Sequence, residues 1–154
     1  MTLSPAKYFE TGQKLDFGHV SVSKEEIIDF ATQFDPIYFH LDEEAAKSSM
    51  LGGLAASGFH TCALTHRMVS DAYLSRFKLL QPPKYDDCRW LLPVRPADIL
   101  GGCSTIVDTV PTEDWPGAVI VQIRHEVSNQ KQEKVALLDA EYVLGNKEGS
   151  ATSE

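Results

Sequence analysis

Apolar and polar positions alternate over residues 15–22, LDFGHVSV, which predicts a strand. The period then changes. Ser23-Lys24-Glu25-Glu26 opens a helix in which Ser23 caps the N-terminus and Glu26 reaches back to it, a reciprocal capping box. Ile27, Ile28, Phe30, Ala31 and Phe34 supply its apolar face. Pro36 ends it, because the residue before a proline is pushed out of helical geometry. Asp35 is therefore the exit residue, and Ile37-Tyr38-Phe39-His40 is extended or turning. Asp42 caps a second short helix through Glu43, Glu44, Ala45, Ala46 and Lys47. Gly52-Gly53 interrupts the chain, and from about Ser57 to Arg76 the pattern is helical again. From Leu54 to Leu64 it is apolar or small nearly all the way round, so this helix is expected to be buried on most sides.

The second half is rich in β-formers. Residues 88–94, 99–110, 118–129 and 134–144 read as strands separated by turn residues, with Asn129-Gln130-Lys131-Gln132 as a hairpin turn. Pro93 and Pro96 bracket Val94-Arg95 and exclude an unbroken central strand there. The simplest way to bury such a helix in one small domain is to curl a sheet around it. The expected fold is α+β, with an antiparallel sheet wrapped around one long central helix. One domain over 1–145 and a small, polar, disordered tail over 146–154 complete the expectation.

Composition narrows the function. The chain has 154 residues, 43% hydrophobic and 23% charged, which is the balance of a soluble globular domain with a real core. Neither a membrane span nor the apolar core of a signal peptide is visible, so the expected location is cytoplasmic, without membrane association. A net charge of −8 with no basic run argues against a nucleic-acid partner. Cys62, Cys88 and Cys103 are odd in number and widely spaced, which argues against a disulfide framework or a zinc site; each is expected to be a small buried hydrophobe.

Residues 30–40, FATQFDPIYFH, carry the candidate chemistry. On a continuous helix, positions 35 and 40 would point roughly 140° apart. The proline turn removes that obstacle and lets a carboxylate and an imidazole converge among Ile37, Tyr38 and Phe39. The segment is either a loop that tucks aromatics into a core or a small acid–base device.

Four pieces resemble the MaoC-like dehydratase family of hotdog-fold proteins, which includes (R)-specific enoyl-CoA hydratases. FATQFDPIYFHLD matches F-A-x-x-x-D-P-x-x-x-H-x-D, and GGLAASGFHTCAL is similar to the glycine-led start of the hotdog central helix. RWLLPVRPADIL is close to W-x-x-P-V-R-P-G-D, and the strand pair around 127–144 completes the set. Ala97 stands where the family usually has glycine. The resemblance implies a hydratase or dehydratase acting on an enoyl or 3-hydroxyacyl thioester, with coenzyme A as part of the substrate and no metal or other cofactor. It implies that Asp35 and His40 are the catalytic pair. It implies further that the Gly58 N–H binds the thioester carbonyl with Ser57 beside it, and that the protein is a homodimer or higher homo-oligomer.

Such a reaction needs a positioned water, a proton for the α-carbon and a donor for the developing enolate. The free N–H groups at a helix start suit that last task, although Ser57 also reads as a plain N-cap and Gly58 as a close-packing residue. His19, His60, His66 and His125 read as structural or solvated, Asp42 as a cap, Arg95 and Asp98 as loop fasteners, and Trp90 as an anchor of the sheet. Arg67, Arg76, Lys78, Lys84 and Arg89 are candidates for coenzyme A phosphates, with surface placement the alternative for each. A thioesterase on the same fold and a non-catalytic acyl-binding subunit are the rival functions.

Overall fold

The computed structural model describes residues 3–147. Its elements run α1 (Pro5–Tyr8), β1 (Lys14–Ser21), α2 (Lys24–Phe34), α3 (Glu43–Ala46), α4 (Gly58–Ala72), β2 (Phe77–Leu79), β3 (Lys84–Trp90), β4 (Ile99–Pro111), β5 (Val119–Ser128) and β6 (Lys134–Asn146), with 3-10 turns at Tyr38–His40 and Leu74–Arg76. All strand pairings are antiparallel, in the order β1-β4-β5-β6, and β2 and β3 both pair with the outer edge of β6.

Strict alternation on β5 buries Val119, Val121, Ile123, His125 and Val127. With Leu138 and Tyr142 of β6 and Met68 and Val69 of α4 they form the core between sheet and helix. Each fully buried aliphatic side chain contributes about 1.5–3 kcal/mol there.

The local signals are realised as hydrogen bonds. The Ser23 hydroxyl accepts the Glu26 amide at 3.0 Å, and the Glu26 carboxylate accepts the Ser23 amide at 2.9 Å. Asp42 accepts the Ala45 amide at 3.1 Å. The Gln132 amide closes the β5–β6 turn onto the Asn129 carbonyl at 3.0 Å.

Elsewhere the boundaries differ from the expectation. The central helix stops at Ala72, not Arg76, because Tyr73 leaves helical geometry to drop its ring into the core and donate its hydroxyl to Ser104 Oγ at 2.7 Å. That turn releases Phe77 to begin β2, a strand too short to show a period. β3 covers 84–90 instead of 88–94, ending before Pro93. β6 runs to Asn146, which pairs with Phe77, while residues 148–154 of the expected tail lie outside the described residues. Nor is α4 buried on most sides: Phe59 is 63% exposed and Ala63 is exposed, so the face toward the sheet carries the burial.

The cysteines are half-buried rather than core hydrophobes, and the Cys62 and Cys88 sulfurs lie 3.2 Å apart. His125 is fully buried between Ser104 (2.8 Å) and Tyr142 (2.9 Å), and burial pushes its ring down to about 4. Among the described residues no helix is long and apolar enough to cross a membrane.

Candidate active site

Three segments converge in front of the start of α4. Asp35 is the C-cap of α2, with its amide still bonded to the Ala31 carbonyl at 2.9 Å. The chain then turns through Pro36, and the 3-10 turn brings His40 back beneath it. Residues 54–57 run alongside, with the Ala55 amide on the Phe39 carbonyl (3.2 Å) and the Ala56 amide on the Val94 carbonyl (2.9 Å). Arg95 fastens this segment from behind: its guanidinium donates to the Leu54 carbonyl at 3.3 Å and to the Leu51 carbonyl. Its own amide donates to Asp98 at 2.8 Å, a buried carboxylate that also accepts Gln130 Nε2 at 3.0 Å.

The proline turn brings the expected pair together. His40 Nε2 lies 3.4 Å from Asp35 Oδ2, with side-chain exposures of 7% and 17%. His40 Nδ1 is 2.7 Å from the Ala55 carbonyl. A carbonyl only accepts, so Nδ1 carries a proton, and Nε2 is the ring nitrogen that faces Asp35. Ser57 joins them by donating its hydroxyl to Asp35 Oδ2 at 2.6 Å while accepting the Phe59 amide at 3.2 Å. It is both the N-cap of α4 and the orienter of the carboxylate.

The next two amides, of His60 and Thr61, bond to the Ser57 carbonyl at 3.0 and 3.1 Å. Among the described residues the Gly58 amide alone of this first turn has no protein acceptor, and Gly58 lines the cavity. The helix N-terminus favours negative charge at that N–H.

A cavity of about 460 Å³ opens here, bounded by Asp35, His40 and Gly58 on the polar side and by Phe39, Val94 and Val135 among its apolar walls. Sequence reasoning missed one wall. Trp90 was expected to anchor the sheet, yet it is 49% exposed, lines the cavity and donates its indole N–H to the Gly58 carbonyl at 3.0 Å. Phe59 meets it edge-on, with ring centroids 5.9 Å apart. The signal lay in RWLLPV, whose aromatic is positioned by a partner 32 places earlier.

Other residues stay outside the cavity. His60 is buried and stacked on Phe30 at 4.6 Å, and burial lowers its pKa. His19 and His66 are exposed. None of the five candidate cations lines the cavity; Arg67 pairs with Asp71, Lys84 with Asp86 and Arg89 with Asp87. No three His, Cys, Asp or Glu side chains among the described residues are grouped to hold a metal ion.

Residues 7–130 match the family model described as MaoC like domain. An uncharacterized protein of Bacillus subtilis (strain 168), YdeM, is 30% identical over 127 residues, 82% of this chain and 89% of the relative. The crystal structure of a MaoC-like dehydratase from Rhodospirillum rubrum is 34% identical, with a TM-score of 0.82 over 96% of this chain and 99% of that one. The unliganded R-hydratase PhaJ1 of Pseudomonas aeruginosa shares the fold, with a TM-score of 0.71 over 96% of this chain and 89% of that one, at 22% identity. With the match covering the Asp35–His40 turn, the start of α4 and the strands behind them, this chain belongs to the MaoC-like dehydratase family and has its hotdog fold.

Proposed function

We propose that this protein adds water across the α,β double bond of an enoyl thioester, with coenzyme A as the carrier, or removes it from the 3-hydroxyacyl counterpart. One observation carries the reading: the Asp35 carboxylate and His40 Nε2 face each other at 3.4 Å beside a cavity that also receives the unpartnered Gly58 amide. Ser57 occupies Oδ2, so the water donates to the other carboxylate oxygen, Asp35 Oδ1, and to His40 Nε2. The thioester oxygen accepts from Gly58, and its double bond then lies over the water.

As the water oxygen bonds to the β-carbon, the Asp35–His40 pair takes one of its protons and returns it to the α-carbon. Charge that gathers on the thioester oxygen is met by the Gly58 N–H and the positive end of α4. The exchange moves only the elements of water, so the proposal includes no redox group and no metal. A homodimer belongs to the same proposal. β3 is an edge strand whose pairing is with β6, and Tyr85, Trp90, Leu91 and Leu92 stand exposed along and just after it.

Crotonyl-CoA tests the reaction. Hydration removes the enoyl absorbance without releasing thiol; released thiol means a thioesterase, and neither change means an acyl-binding subunit. Asp35→Asn and His40→Ala each lower turnover by at least ~100-fold in a folded protein. Wild-type rates in either variant would remove the pair from the mechanism.

A further inference from the structure

Cys62 and Cys88 lie on the two elements that form one wall of the site. Cys62 is one helical turn after Gly58 on α4, and Cys88 is two residues before Trp90 on β3. Their sulfurs are 3.2 Å apart, 26 positions apart in sequence, with no bond between them. A disulfide needs about 2.05 Å, so joining them requires the walls to close by roughly 1 Å. Both residues are half-buried, so neither thiol is sealed in the core.

We propose that Cys62 and Cys88 are a redox-closable pair, oxidised by a peroxide to a disulfide that draws α4 onto β3 and switches off the adjoining site. The loss of turnover rests on the hydratase reading above; the bond itself does not. Burial, and then the contact with Cys88, push the Cys62 thiol up to about 12. One sulfur of the pair takes one peroxide oxygen to become a sulfenic acid, and the other oxygen leaves as water. The second sulfur then attacks the first, its proton joins the departing hydroxide as a second water, and the S–S bond forms. Two thiols lose two electrons and two protons, and one peroxide is reduced to two waters.

The approach reaches the site because there is no slack between Gly58 and Trp90. A Cβ added to Gly58 would sit 2.4 Å from the indole Cε2, and the indole N–H is already bonded to the Gly58 carbonyl. Drawing β3 inward displaces the indole or tilts the first turn of α4, and either moves the Gly58 amide relative to Asp35 and His40. A displacement of ~1 Å in a reacting geometry costs up to ~100-fold.

The full chain, reduced and then exposed to hydrogen peroxide, tests the pair. Free thiols fall from three to one, and peptide mapping links Cys62 to Cys88. The unfolding midpoint rises by roughly 10 °C, and crotonyl-CoA turnover falls at least ~10-fold, returning with dithiothreitol. Cys62→Ser and Cys88→Ser keep the reduced-state turnover and lose the peroxide response. In a Trp115→Phe background the remaining Trp90 reports the closure by a change in emission, whether or not crotonyl-CoA is a substrate. Thiols that stay free, a link through Cys103, or a Cys62–Cys88 bond that leaves Trp90 emission and turnover unchanged each overturn the switch.

Discussion

Ser57→Ala separates the two tasks that one hydroxyl performs. Ser57 is fully buried; it caps α4 by accepting the Phe59 amide at 3.2 Å and donates to Asp35 Oδ2 at 2.6 Å. Losing the cap, which leaves the Phe59 amide without its acceptor, costs about 1 kcal/mol. For a chain of this length that lowers the unfolding midpoint by roughly 2–4 °C. The second task concerns chemistry. A hydrogen bond to a charged group is worth about 1.5–3 kcal/mol, and without it the Asp35 carboxylate is free to rotate its oxygens and lose its register with His40 Nε2. If most of that energy serves to orient the carboxylate in the transition state, turnover falls about 10- to 150-fold. Crotonyl-CoA hydration under saturating substrate and thermal unfolding by circular dichroism measure the two losses on one sample. Ser57→Thr keeps the hydroxyl and is the control. Turnover within about 3-fold of wild type, alongside the expected midpoint loss, would reduce Ser57 to a cap and refute the orienting role.

Three further perturbations follow from the structure. Gly58→Ala places a Cβ 2.4 Å from Trp90 Cε2, so it costs about 1–3 kcal/mol in urea unfolding, and Trp90→Leu in the same chain restores most of it. Ala97 holds a left-handed φ of 73° in its turn, and Ala97→Gly is expected to raise stability. The left-handed penalty of about 1–2 kcal/mol outweighs the roughly 0.5–1 kcal/mol entropic cost of glycine, for a gain of up to ~1 kcal/mol read from the urea midpoint. His125 is held neutral, its ring pushed from the ordinary 6.5 down to about 4 by burial. The unfolded chain therefore binds the extra proton between those values, so stability is full above pH 6.5 and falls as the pH drops toward 4. The His125 share of that fall is about 2 kcal/mol at pH 5, and a His125→Gln variant whose pH 7 to pH 5 loss matches wild type would contradict it.

The elements legible in the chain are those whose signals lie within a few residues. The Ser23–Glu26 capping box, the Asp42 cap, the proline exit at Asp35 and the Asn129–Gln132 turn all close between positions at most four apart. The long alternating strands β4, β5 and β6 are also readable, because one face of each meets the core. β2 and α1 escape because three or four residues hold no measurable period. The helix end at Ala72 escapes for another reason. Tyr73 is a sound helical residue until a buried Ser104, 31 positions later, offers its hydroxyl a partner.

The sequence by itself determined the turn that lets Asp35 and His40 face one another, since a proline and a five-residue spacing act locally. It also determined the family, through motifs spread across most of the chain. Only the tertiary structure decided what surrounds that pair. Ser57 reaches Asp35 across 22 positions, Trp90 covers Gly58 across 32, and Cys88 meets Cys62 across 26. Those contacts depend on how α4 settles against β3 and the 35–40 turn. That placement is fixed by packing of the whole core, which no short window of sequence encodes.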